Sequence, residues 1–215
     1  MAALRVDLGE LAPAPDVFLG HCAALHLTFI EQLTTAMANA SRVADKDALA
    51  RVVGIVLDRY RVLSAELERL HLDKTDVMQP HLAGVEEFKR RTEGGEWFEQ
   101  VASAHVTIGF LTDFWVRLSG GLSGELGQRV AEALVAGDAQ APLHRILERA
   151  IAANPRLSSR LALWSRRLVG DTMLQARSAL VLHADSSRDE AQIEPVFTEL
   201  IAEHTRRMDR LGLTA

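Results

Sequence analysis

Cysteine is nearly missing from this chain. One residue, Cys22, among 215 excludes a disulfide framework and a thiolate metal cluster within a single chain. A basic excess is missing as well: 24 Lys and Arg stand against 29 Asp and Glu, a formal charge of −5. That balance argues against a dedicated nucleic-acid binder, which needs cations to displace counterions from phosphates. The deficit is uneven, since residues 1–108 carry 11 basic against 16 acidic side chains and residues 109–215 carry 13 against 13. Three Lys against 21 Arg reads as genome bias. Aromatics number 11, so a core must be built mainly from Leu, Ala, Val and Ile. No apolar stretch approaches the roughly 18 residues of a membrane span. Arg5, Asp7 and Glu10 are not followed by the apolar segment of a secretory signal. A cytoplasmic protein without membrane contact is the expectation.

Familiar catalytic loops are lacking too. There is no GxxxxGK[ST] and no GxGxxG. Ser123, in Gly-Leu-Ser-Gly-Glu, misses the GxSxG spacing and has no strand before it. Sustained period-2 alternation rich in β-branched residues, the mark of a half-buried strand, does not occur.

What is present is helical period. Apolar residues recur at Leu49, Val53, Val56, Tyr60, Leu63, Leu67 and Leu70, in steps of 4, 3, 4, 3, 4 and 3. Equivalent seams run through Leu19, Ala23, His26, Ile30, Leu33 and Met37, and through Trp97, Val101, His105, Ile108, Leu111, Trp115 and Leu118. Later ones follow Leu157, Leu161, Trp164, Leu168 and Asp171, and Phe197, Leu200, His204, Met208 and Leu211. Such spacing belongs to long helices that bury one face. The fold class is all-α.

Punctuation sets the expected boundaries. Pro13 and Pro15 place the first helix start near Asp16, leaving residues 1–15 as an N-terminal extension before a single domain, 16–215. Residues 40–47 form a turn with Asp45 or Asp47 as N-cap. Pro80, Gly84, Gly94 and Gly95 mark residues 73–95 as a long connection with a short helix near 85–91. Helical patterns at 126–135 and 143–151 are separated by Gly137 and Pro142, predicting a break or kink. Residues 184–194 read as a polar loop, Pro195 as the opening of the last helix, and Gly212 as its C′ residue.

A long-helix bundle raises the question of a carboxylate-bridged di-metal site, which takes inward Glu residues and two Glu-x-x-His pairs. One such pair exists, Glu68 and His71, off the seam at a helix end; a solvated helix end is the plainer reading. Glu99 and Asp113 also fall beside a seam. His26, His105, Asp171 and His204 are the polar residues on seams. Imidazoles with one carboxylate suit a single zinc or copper ion better than two irons, and hydrogen-bonded core residues are the commoner use. Arg160, Arg166, Arg167, Arg206, Arg207 and Arg210 form a basic series that alternates with apolar positions, as solvated faces do.

The stretches Arg-Leu-Ala-Leu-Trp-Ser-Arg-Arg-Leu-Val-Gly-Asp at 160–171 and His-Thr-Arg-Arg-Met-Asp-Arg-Leu-Gly-Leu at 204–213 resemble signature segments of actinobacterial ferritin-like proteins. These are grouped with the tRNA hydroxylase that acts on isopentenylated 2-methylthioadenosine. Glu-Phe-Lys-Arg-Arg-Thr at 87–92 and Glu-Trp-Phe-Glu at 96–99 are similar to that family's entry into its third helix. The resemblance runs from about residue 20 to the end. It implies a ferritin-like four-helix bundle with additional C-terminal helices and, in active members, a di-iron centre. Carried over by residue, the implied ligand positions hold Leu25, Val56, Arg59 and Ile108, with Asp58 and Tyr60 as near misses. The fourth pair falls inside the 137–142 break.

Replacing a whole ligand set with apolar side chains leaves a core that needs no metal to balance it; Arg59 must reach solvent or find a carboxylate. The expectation is therefore a bundle without catalytic, cofactor or metal residues, acting as a structural or interaction module, with a homodimer open. Two alternatives stand beside it. One is a metal-dependent hydroxylase or oxidase with ligands relocated among His26, His105, Asp171, His204, Glu68 and His71. The other is a metal-free binder of a small apolar ligand entering at the 137–142 break.

Overall fold

A computed structural model describes residues 8–183 and 186–213. It is helical throughout, with no strand among the described residues. The helices are α1 (Pro15–Asn39), α2 (Val43–Arg69), α3 (Lys74–Thr92), α4 (Trp97–Leu118), α5 (Glu125–Val135), α6 (Gln140–Ala153), α7 (Arg156–Arg177) and α8 (Ser186–Arg210), with short 3₁₀ turns at Gly9–Leu11 and Ser119–Gly121.

Four positions make the bundle: α1, α2, α4, and a fourth helix split into α5 and α6. Each meets its neighbours in the cyclic order α1, α2, α5/α6, α4, with the inward faces of the predicted seams forming one apolar cluster. The long crossover from α2 to α4 carries α3, which lies against α1 and α7. The last two helices add an outer layer on α4, α7 packing against both α4 and α3. The N-terminal stretch joins the bundle as well. Leu8 and Leu11 are buried, the Leu11 carbonyl accepts from Val181 N–H at 2.9 Å, and Glu10 accepts from Arg188 and Gln192.

Several boundaries differ from the sequence expectation, each for a local reason. The first interhelical turn is shorter than 40–47, because α2 begins at Val43; Asp45 lies inside the helix, buried and paired with Arg149 of α6. Residues 73–95 are not a loop around a short helix. Asp73 caps α3 by accepting from the N–H groups of Thr75 and Asp76 at 2.8 and 3.1 Å, and the helix runs through Pro80. At the other end, Val85, Phe88 and Thr92 bury its inner face. Gly20 lets α1 meet α3 closely, since a Cβ there would lie 2.4 Å from the Val77 carbonyl oxygen.

The predicted break in the fourth helix is found, displaced from the proline. The interruption is 136–139, with Gly137 at φ 69°, and Asp138 caps α6 through the N–H groups of Gln140 and Ala141. Pro142 sits in the first turn of α6, where a missing N–H leaves no helical bond unmade. Pro195, by contrast, does not open the last helix. It lies inside α8, which begins at Ser186 and is anchored early by Asp189, held by His183, and by the Arg177–Glu190 pair. Ala184 and Asp185 of the expected polar loop lie outside the described residues. Gly212, at φ 66°, closes α8: Leu213 N–H donates to the Met208 carbonyl and Gly212 N–H to that of Asp209, the two bonds of a Schellman end.

Candidate functional site

The bundle centre is where side chains from four helices meet, so the implied di-iron positions can be judged there. Leu25, Val56 and Ile108 are buried members of the apolar core. Arg59 is 5% exposed and reaches neither solvent nor a carboxylate. Its Nε donates to the Ala136 carbonyl and its Nη2 to that of Gly137, both at 3.2 Å, while Nη1 donates to Thr112 Oγ1 at 3.3 Å. Those carbonyls end α5 and face the chain break, so the guanidinium sits at the negative end of a helix, where a cation is favourable. Burial lowers the Arg59 pKa, opposed by Cys22 and Asp138, yet a guanidinium stays charged.

This arrangement also closes the break. Gly137 lies against the Ile55 side chain, from which an added Cβ would be 3.0 Å, and Arg59 ties both flanking carbonyls to α2. Pro142, just past the break, lines a concavity of about 160 Å³ together with Ala44, Ala48 and Ile146. Of the near misses, Asp58 pairs with Arg61 on the surface, and Tyr60 is half-buried and packs against the apolar core.

A di-iron centre does not fit these residues. It requires several carboxylates around a charge that a low-dielectric core cannot otherwise balance. Methyl groups and a fixed guanidinium stand in their place. Beside Arg59, His26 donates from Nδ1 to the Cys22 carbonyl at 2.7 Å. Burial, reinforced by the Arg59 charge, holds the His26 imidazole pKa down at about 4. Burial drives the Cys22 thiol far above its ordinary range, so no thiolate forms there.

The fallback residues do not converge as a set. Glu68 is exposed and 3.8 Å from Lys74. His71 stands at the C′ position of α2 with φ 57°: Leu72 N–H donates to the Leu67 carbonyl and His71 N–H to that of Glu68. The Glu-x-x-His spacing is thus a Schellman helix end. Asp171, on α7, faces Arg91 of α3 at 3.9 Å, and no Asp171–His204 pair forms.

Only His105 and His204 share a neighbourhood, at the junction of α4, α6 and α8. His105 and Gly109 lie one turn apart on α4. Turned with its amide nitrogen inward, Gln140 donates to His105 Nδ1 at 2.9 Å and accepts from Gly109 N–H at 3.2 Å. The His144 ring is 6.1 Å from that of His105, and Arg207 donates to Asp113 at 2.6 Å. Desolvation, then the Arg207 charge, pushes the His105 pKa to about 3; burial takes His204 to about 4. Four buried nitrogens, His105 Nε2, His204 Nδ1, and Arg207 Nε and Nη2, lack hydrogen-bond partners. The single nearby carboxylate is occupied by Arg207. Among the described residues no group of three or more His, Cys, Asp or Glu side chains is placed to hold a metal ion.

Other buried polar groups were not visible as seam residues. Glu66 is 2% exposed in its side chain and is held by both oxygens to Arg129 of α5, at 3.0 and 2.9 Å. It continues the buried series Val52, Val56, Arg59 and Leu63, which has the same steps as the seam through Leu49, Val53 and Tyr60 and shares Val56 and Leu63 with it, but otherwise runs one residue to its side. His21 stacks on His81 of α3, ring centroids 4.7 Å apart, and accepts from Gln175 of α7 at 2.8 Å. The basic series is largely neutralised: Arg160 pairs with Glu96, Arg206 with Glu203 and Arg207 with Asp113. Arg167 lies over Trp164 at 5.2 Å. Elsewhere, an apolar groove of about 650 Å³ lies between α7 and α8.

A family model described as a ferritin-like domain of actinomycetes matches residues 15–187. No curated protein matches the chain.

Proposed function

This chain belongs to the ferritin-like domain family of actinomycetes, and we propose that it is a member without a di-iron site, serving as a non-catalytic structural or interaction module. The observation that carries the reading is Arg59. A guanidinium bonded to the Ala136 and Gly137 carbonyls and to Thr112 puts a permanent positive charge where the resemblance implies a ligand. Cations repel there, and the surrounding Leu25, Val56 and Ile108 offer no lone pairs. Descent alongside the tRNA-modifying hydroxylase is part of the same proposal, without its substrate.

The relocated-ligand hydroxylase has less support. Its six residues lie two at a helix end, one on α1, one on α7 and two at the α4/α8 junction, so no more than two of them are near each other. A metal-free binder of a small apolar ligand is favoured by one observation, the α7/α8 groove, whose volume falls in the ordinary range for ligand pockets.

The test is metal analysis of protein expressed in iron-rich medium. Well under one iron per chain, and no oxo-bridged absorption, is the expected result. About two irons per chain, retained through chelator treatment, would overturn the reading.

A further inference from the structure

The outer face of α7 carries a stripe that the bundle does not use. Leu163, Arg167, Gly170 and Leu174 follow one another in steps of 4, 3 and 4 and are all exposed, the two leucines at 66% and 60%. At 1.5 Å per residue the stripe is about 16 Å long. At its centre, a Cβ on Gly170 would meet nothing within 4 Å.

Beside the stripe lies the α7/α8 groove, lined by Met173, Leu174, Ile193, Phe197 and Ile201. Exposed apolar side chains also stand in the chain before and after the groove's α7 residues, Leu163 on one side and Val181 and Leu182 on the other. A small ligand would cover the groove and leave those side chains in water; an occupant as long as a helix reaches beyond it. The two walls differ in sign. Arg177 of α7 pairs with Glu190 of α8 within the copy and Asp171 faces Arg91, while Arg167 on α7 and Glu194 on α8 stand as opposite charges across the groove. Paired charge of both signs selects against a simple anionic or cationic headgroup. It is what self-complementarity requires, because a two-fold axis sets each wall of one copy against the opposite wall of the other.

We infer that this groove receives α7 of a second copy of the chain, in an antiparallel pairing centred on Gly170. The missing side chain lets the two α7 backbones approach. Residues three or four positions before Gly170 then meet those three or four after it, so Leu174 packs along the aliphatic stem of the partner's Arg167. The Arg167 guanidinium meets the partner's Glu194, an exposed carboxylate. The inference rests on the reading of the bundle as an interaction module.

Sedimentation equilibrium of the full chain from about 1 to 100 µM, the range in which interfaces of modest size dissociate, tests it. The expected species has twice the 23.6 kDa chain mass. Gly170→Gln and Leu174→Glu give monomers that unfold no lower than wild type diluted below its dissociation constant, since neither side chain is buried in one copy. Arg167→Glu and Glu194→Arg each weaken association at least tenfold, about 1.4 kcal/mol, and the double variant regains it. A wild-type monomer across the range, or a dimer indifferent to all of these variants, overturns the inference. So does a monomer that binds a long-chain fatty acid in the groove. Iron content is measured on the same samples: an iron-loaded dimer removes the non-catalytic reading and keeps the pairing, whereas an iron-free monomer does the reverse.

Discussion

Arg59 of α2 donates to the carbonyl of Gly137 at 3.2 Å, across 78 residues of sequence. One bond therefore joins a cation in the core to a broken fourth helix. The break exposes carbonyls that an unbroken helix would have consumed, and the guanidinium satisfies them. Each feature makes the other tolerable.

Removing the cation should therefore cost stability rather than restore anything. Arg59→Met leaves the Ala136 and Gly137 carbonyls and the Thr112 hydroxyl unpaired in the core. The expected loss is about 2–4 kcal/mol, read as a lower urea midpoint at unchanged slope. A midpoint within error of wild type would mean that water reaches those carbonyls.

Glu66 makes a similar tie between α2 and α5. Its hydrogen bond and charge interaction with Arg129 hold the carboxyl pKa below the ordinary value of 4.5. A carboxylate with a lowered folded pKa contributes stability that is complete above the unfolded value and is lost as pH falls through the folded one. Glu66→Gln should cost about 1–3 kcal/mol at pH 7, and the gap from wild type should narrow below about pH 4. A gap that stays constant down to pH 3 would assign the loss to packing.

Four buried imidazoles act earlier in an acid titration. Burial holds His21, His26 and His204 at about 4 and His105 at about 3, against an ordinary 6.5. A base whose folded pKa is lowered favours unfolding when protons are added. Each imidazole thus removes roughly 1.4 kcal/mol per pH unit between 6.5 and its folded value. His26→Gln should flatten the dependence by about one proton, measured as unfolding free energy from pH 7 to pH 5. An unchanged slope would place the His26 proton uptake elsewhere.

Two glycines make a matched pair. Gly20→Ala drives a Cβ toward the Val77 backbone oxygen, 2.4 Å away, and must push α1 and α3 apart, at a cost of about 1–3 kcal/mol. Gly54, in mid-α2, has nothing within 4 Å of an added Cβ, so Gly54→Ala should stabilise by about 0.5–1 kcal/mol through helix propensity. Opposite shifts in unfolding temperature are the expected readout, and equal ones would contradict the close α1–α3 contact.

The site residues were only partly legible in the sequence. Val56 and Ile108 lie on apolar seams of the sequence, whereas Leu25 was singled out by the family resemblance alone. Arg59 was recognised as the exception, but its partners were not. A carbonyl acceptor leaves no mark in sequence, because every residue has one. Glu68 and His71 matched a ligand spacing by residue type, yet helix ends and metal sites use the same i, i+3 geometry. Glu66, with no such motif, proved to be a buried carboxylate.

Period and composition determined that this protein is all-α, where its buried stripes run, that its fourth helix is broken, and that Gly212 ends the last one. These are local properties, decided by propensity and by the side-chain repeat of a helix. Tertiary structure decided the rest. Pro80 and Pro195 lie inside helices because Asp73, Asp189 and the packed faces around them hold the chain helical on both sides. His105 meets Gln140 and the Arg207 helix, while His26 and Asp171, on seams of the same kind, point to other neighbours. Which buried polar groups meet depends on helix rotation and on the break between α5 and α6, and both are set by contacts between residues far apart in sequence.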